Sequence, residues 1–169
     1  EAGRPLTLCE APAILGWRED RATGPFLMPA DPGVRAETRG LVPWFERRFN
    51  DEVNAVLLHE RLEKPLLRLG SPDALNLREG RQALKAHLAM MEALLGERDW
   101  LAGGRMGQAD LTAAAHASVL DYFGEVQWQT WPGLKTWYVR LKSRPCFRPL
   151  LADKFQGLAP VAHYADLDF

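Results

Sequence analysis

The chain has 169 residues, enough for one hydrophobic core without disulfide or metal staples, so a single domain is expected. Its 21 Lys and Arg nearly balance 22 Asp and Glu, and a formal net charge of −1 gives no general drive toward nucleic acid or an anionic membrane. Two cysteines, Cys9 and Cys146, make no disulfide framework, and no apolar run reaches the ~20 residues of a membrane span, so a reducing cytoplasmic setting is the expectation.

The opening Glu1-Ala2-Gly3-Arg4-Pro5 carries no signal-peptide pattern and reads as a start inside a longer protein. Leu6 to Leu8 is the one stretch compatible with a strand. Glu10 to about Arg18 predicts a short helix with Ile14 and Trp17 at i, i+3. Asp20 to Pro29 is a loop broken by Gly24-Pro25 and Met28-Pro29. Asp31-Pro32 then places an N-cap before a proline at the first helical position. The helix it opens keeps Leu41, Phe45, Phe49, Val53, Val56 and Leu57 on one face, with Pro43 predicting a kink or break.

A further helix starts near Ser71-Pro72-Asp73 and carries Leu84, His87, Leu88, Met91, Leu94 and Leu95 at helical spacing. Gly96 to Gly104 is a loop pinned by Trp100 and Leu101. Asp110 opens the alanine-rich helix that follows, which ends at Gly124. An acidic residue in a first turn accepts bonds from unpaired N–H groups, so Asp110 is assigned a structural role. Pro132 opens another helix, stopped by Arg144-Pro145, and a short helix runs through Leu151. From Asp153 onward the pattern dissolves. The expectation is an all-α chain with a stub.

Few residues are placed for chemistry. His59, His87, His116 and His163 are scattered without ligand spacing, so no metal site is expected, and His87 on an apolar face is a hydrogen-bonded core residue. A carboxylate neighbour, Glu10, does not favour a Cys9 thiolate, which makes Cys9 structural. Trp44 with Arg47 and Arg48 either lines a cleft or forms a solvated basic face. Between Lys135 and Lys154 lie Arg140, Lys142, Arg144 and Arg148 with only Asp153 opposing, a local positive face suited to an acidic partner. The end, Val161 to Phe169, interleaves apolar Tyr164, Leu167 and Phe169 with the acids Asp166 and Asp168. It either folds back as packing or anchors a partner.

The order Trp100-Leu101-Ala102-Gly103, a polar loop, Ala109-Asp110-Leu111, and Trp137-Tyr138-Val139-Arg140-Leu141-Lys142-Ser143-Arg144-Pro145 resembles the glutathione S-transferase superfamily. The resemblance implies a C-terminal helical bundle of that family (31–152), preceded by the last strand and helix of its thioredoxin-like domain (1–19) and a linker (20–30), and followed by a tail (153–169). One departure is Gly107, where the family's capping box begins with Ser or Thr. Glycine offers no side-chain oxygen, so half of the reciprocal box is missing.

Leu8-Cys9-Glu10-Ala11-Pro12-Ala13-Ile14 resembles the family's glutathione-binding turn, where Glu (or Gln) and Ser hold the γ-glutamyl end. Glu10 and Ile14 match, but Ala11 stands where the family has Ser. A lost hydrogen bond to a charged ligand group costs ~1.5–3 kcal/mol, roughly one to two decades of affinity. Weak or absent glutathione binding is expected, with no catalytic residue to carry over. Leu27-Met28-Pro29-Ala30-Asp31-Pro32, Trp44-Phe45, Phe49-Asn50-Asp51-Glu52-Val53, the run Lys142 to Asp153 and Asp166-Leu167-Asp168-Phe169 are similar to the FtsZ-binding division branch of the superfamily. That resemblance implies a non-enzymatic homodimer at the division site. Its contacts with FtsZ would be Arg140, Lys142, Arg144, Arg148, Tyr164, Asp166, Leu167, Asp168 and Phe169. The alternative is a glutathione-dependent transferase or detoxification enzyme.

Overall fold

A computed structural model describes residues 6–24, 26–167 and 169. The start at residues 1–5, Pro25 of the Gly24-Pro25 breaker and Asp168 of the expected contact set lie outside them. Helices run in the order α1 (Ala11–Arg21), α2 (Pro32–Pro43), α3 (Ala55–Leu58), α4 (Lys64–Leu67), α5 (Ala74–Glu97), α6 (Gln108–Tyr122), α7 (Pro132–Lys142) and α8 (Arg148–Ala152). Among the described residues there is no strand. The expected stub at Leu6 to Leu8 stays irregular, because a lone strand has no neighbour to complete its hydrogen-bond ladder.

Asp31 caps α2 as its sequence predicts, Oδ1 accepting from the Val34 N–H at 2.9 Å. Pro43 does not break the chain. Helical structure continues from 32 to 67, but turns Trp44–Asn54 and His59–Glu63 widen to π-type bonding. Pro43 has no N–H to give its preceding turn, and the Trp44 N–H bonds both Gly40 and Leu41 carbonyls. The widened turns suit the apolar pattern. Phe45, Phe49, Val53 and Leu57 recur every four residues and are all buried; in an ideal α-helix each such step would overshoot by ~40°.

α5 packs back along this helix. Gly80 allows the approach, since a Cβ there would sit 2.8 Å from Leu57 Cδ2. The turn between them is tied by Glu60, which is fully buried. Its carboxylate accepts from Asn76 Nδ2 at 2.8 Å, Lys64 Nζ at 2.6 Å and the Asp73 N–H at 2.7 Å. These bonds, Asn76's first, hold its carboxyl down at about 2 against an ordinary 4.5. The folded value lies below the unfolded one, so the stability it contributes is present above pH 4.5 and is lost as pH falls toward 2. The urea midpoint is expected to fall across that window, and Glu60→Gln to flatten the fall. Equal slopes for the two proteins would show that the tie is not ionic.

α6 is enclosed on several sides, with Ala109, Ala113, Ala114 and Ala117 buried. Small side chains let α2 and α7 close on it, and Leu120, Leu134, Trp137 and Leu141 complete the core. α1 contributes little to this core. It buries no residue, and Ile14 and Trp17 remain 47% and 44% exposed.

Candidate functional site

Asp110 joins the loop before α6 to the two helices after it. Its Oδ1 accepts from the Leu101 N–H at 2.8 Å and from Trp137 Nε1 at 2.9 Å, while Oδ2 accepts from the Gly107 N–H at 2.9 Å. Burial pushes its carboxyl up, and these three donors partly offset that. Gly107 at the cap has a steric reason. A Cβ there would meet the Leu27 carbonyl oxygen at 2.9 Å, and that oxygen accepts from the Gln108 N–H at 3.0 Å. A serine would add a cap hydroxyl at the cost of this linker contact.

The resemblance to a glutathione-binding turn falls at the start of α1. Glu10 sits at φ 69°, a left-handed conformation that side chains other than glycine rarely hold. Ala11 is exposed in the first helical turn and presents only a methyl group. A cavity of about 520 Å³ lies alongside, between α1, the linker and α2, with Arg39 and Arg105 on its wall.

The basic stretch of α7 is less free than its sequence suggests. Arg140 is paired with Asp99 at 2.7 Å. Lys142 is 0% exposed. Its Nζ lies 3.7 Å from Asp121 Oδ2 on α6 and donates to the His163 carbonyl at 3.4 Å. Burial pushes the Lys142 ammonium down, and Asp121 opposes this. Arg144 and Arg148 are exposed. Lys142 therefore acts from inside the body rather than on its surface.

What it holds is the tail. The Phe169 ring lies 4.1 Å from Lys142 Nζ and 5.2 Å from Lys135 Nζ, stacks on His163 at 5.1 Å and meets Trp128 edge-on at 5.5 Å. Asp121 Oδ1 in turn accepts from Trp128 Nε1 at 2.6 Å and pairs with His163 Nε2 at 3.0 Å. Tyr164 is buried; its hydroxyl shares a 2.9 Å bond with Ser118 and donates to the Leu150 carbonyl at 3.3 Å. Gly124 at φ +69° leaves room for Val161, whose Cγ1 would lie 2.8 Å from a Cβ there. Asp166 is exposed and Leu167 partly so, and the Asp166 charge acts on Lys142. The structure thus brings Lys142, Tyr164 and Phe169 together on one face of the bundle. Asp121 and His163, which complete that cluster, carry no local sequence signal.

Every histidine is spent on its own partner: His59 on Glu63, His87 on Glu52, His116 on Asn54 and His163 on Asp121. His87 is the hydrogen-bonded core residue its apolar setting predicts. Cys9 and Cys146 are free and exposed. Trp44 packs against His87 at 4.7 Å, and Arg48 pairs with Glu52 at 2.9 Å.

Residues 35–140 match the family model described as glutathione S-transferase, C-terminal domain. FtsZ-localized protein A of Caulobacter vibrioides is 58% identical over 166 residues, covering 98% of this chain and 73% of that protein. The solved structure of FzlA from C. crescentus superposes with a TM-score of 0.94 at 57% identity, covering 100% of this chain and 75% of that one. A glutathione S-transferase from Rhodospirillum rubrum gives a TM-score of 0.91 at 43% identity, covering 97% and 74%.

Proposed function

Because the chain belongs to the glutathione S-transferase C-terminal domain family, we propose that it is a non-catalytic division protein of that superfamily, binding FtsZ filaments through the helical domain and tail. The observation that carries this reading is the identity with FtsZ-localized protein A along nearly the whole chain. Ala11 supports it independently, since a glutathione-binding turn without its hydroxyl has lost a bond to the ligand's charged end. On this reading the intact protein is a cytoplasmic homodimer at the division site. Residues 1–19 are the end of its thioredoxin-like half, 20–30 the linker, 31–152 the helical domain and 153–169 the tail. Arg140, Arg144 and Arg148 present charge to an acidic filament surface, Asp166 to Phe169 complete the contact, and Lys142 and Tyr164 hold Phe169 in place. Among the described residues no helix is long and apolar enough to cross a membrane.

Co-sedimentation of the intact protein with FtsZ polymers tests this. The protein is expected to pellet with polymers, and removal of Asp166 to Phe169 to abolish pelleting while a thermal melt shows the body still folded. Unchanged pelleting would exclude the tail as the contact.

The likeness to the Rhodospirillum rubrum transferase favours a second reading, a glutathione-dependent enzyme. Calorimetric titration with glutathione separates the two, since micromolar binding would restore the enzyme and count against the division protein.

A further inference from the structure

A second charged cluster lies where α5 meets the loop after α6. Glu125 carries a buried carboxylate. Arg81 donates to it through Nε at 2.7 Å and Nη2 at 3.0 Å, while Arg61 Nε lies 2.9 Å from Oε1. Arg61 Nη2 also donates to the Phe123 carbonyl at 3.2 Å. One carboxylate needs one cation for neutrality, and here it fixes two guanidiniums side by side. Their Nη1 groups make no hydrogen bond among the described residues. Lys85, exposed one turn further along α5, adds a third cation and makes no ion pair among the described residues.

These groups line a cavity of about 440 Å³ whose other wall includes Trp131 and Leu88. It has room for one or two side chains. Arg78, Arg81 and Lys85 follow one stripe of α5 at i, i+3, i+7, with no acid at the stripe positions between them. The stripe leads to the hairpin tip, where Leu66, Leu67, Leu69 and Leu75 are 46–64% exposed. Guanidiniums held rigid by a buried acid lose little freedom when they grip a carboxylate. An aromatic and aliphatic wall beside them fits an apolar residue next to that carboxylate.

We propose that the Arg61–Arg81–Lys85 pocket is a docking site for an acidic segment of a protein partner, with its carboxylates on the three cations and an apolar side chain against Trp131. The proposal does not depend on FtsZ being that partner.

The test uses a fluorescein-labelled, end-blocked pentapeptide, a leucine flanked on each side by two aspartates, titrated against the intact protein by fluorescence anisotropy. Saturable binding is expected. Exposed charge pairs contribute up to about fivefold each, so the double variant R81Q/K85Q should bind about tenfold more weakly. Arg105→Gln, on the far cavity beside α1, should stay within about twofold. Raising sodium chloride from about 20 to about 300 mM should weaken the native protein more than the double variant. No saturable binding at millimolar peptide overturns the proposal, as does equal binding of the same peptide with asparagine in place of aspartate. An Arg105→Gln loss as large as that of R81Q/K85Q would reduce the effect to diffuse charge. Displacement of the peptide by inorganic phosphate at lower concentration than the unlabelled peptide would reassign the pocket to a small anion.

Discussion

Replacing Asp110 by alanine is expected to lower the free energy of unfolding by about 3–5 kcal/mol, because buried donors left without an acceptor cost ~1–3 kcal/mol each. The Leu101 N–H, the Gly107 N–H and Trp137 Nε1–H all lose their acceptor at once. Each lies on a different piece of the fold: the loop, the cap of α6 and the body of α7. A typical domain has only about 5–15 kcal/mol in total, so the variant should sit near the edge of folding. Asp110→Asn keeps an oxygen for Leu101 and Trp137 but turns an amide N–H₂ toward the Gly107 N–H. It should lose about half as much. Urea denaturation at constant slope measures both. A loss below about 1 kcal/mol for the alanine variant would show that packing of Leu101 and Trp137 alone sets the loop.

Lys142→Met should also be damaging, by about 3 kcal/mol, because it takes the ammonium from the buried Asp121 carboxylate and leaves it only His163 Nε2 and Trp128 Nε1. Methionine fills much of the same volume, so the loss reports charge more than cavity. The variant also removes the ammonium beside the Phe169 ring and the donor to the His163 carbonyl, which together hold the tail. Limited proteolysis should therefore trim the tail of the variant faster than that of the native protein. The double variant K142M/D121N removes both charges. It should recover a large part of the lost stability while the tail remains loose. Equal stability of single and double variants would mean that the pair is not coupled, and an unchanged trimming rate would mean that Lys142 does not retain the tail.

Much of the fold was legible because its signals are local. Asp31-Pro32 caps a helix within a few residues, and Asp73 does the same for α5 through the Leu75 and Asn76 N–H groups. The role of Asp110 could be read from its place before an alanine-rich run. Its Trp137 partner could not, since it lies 27 residues on. The same limit explains the basic stretch. Reading along α7 finds Asp153 as the opposing acid, yet Asp121 and Asp99 are supplied by other elements. Lys142 shares a helix face with Tyr138 and Leu141, but a lysine is normally expected outside, and only the folded arrangement shows it inside. Gly107 looked like a defective cap because the Leu27 carbonyl that excludes a side chain is 80 positions earlier in the chain. The tail left two alternatives open from sequence, and the burial of Tyr164 against Ser118 is the packing one. A partner would meet that packed form first.

The widened turns between Trp44 and Asn54 also constrain how this chain can change. Phe45, Phe49, Val53 and Leu57 are all buried along a segment whose turns take in more residues than usual. Losing or gaining a single amino acid in that stretch would swing every later side chain of the helix by roughly a quarter of a turn, carrying Leu57 off Gly80 and Glu60 out of the hairpin turn. Insertions and deletions can be absorbed in the irregular segment around Gly70, but in this helix the register admits none.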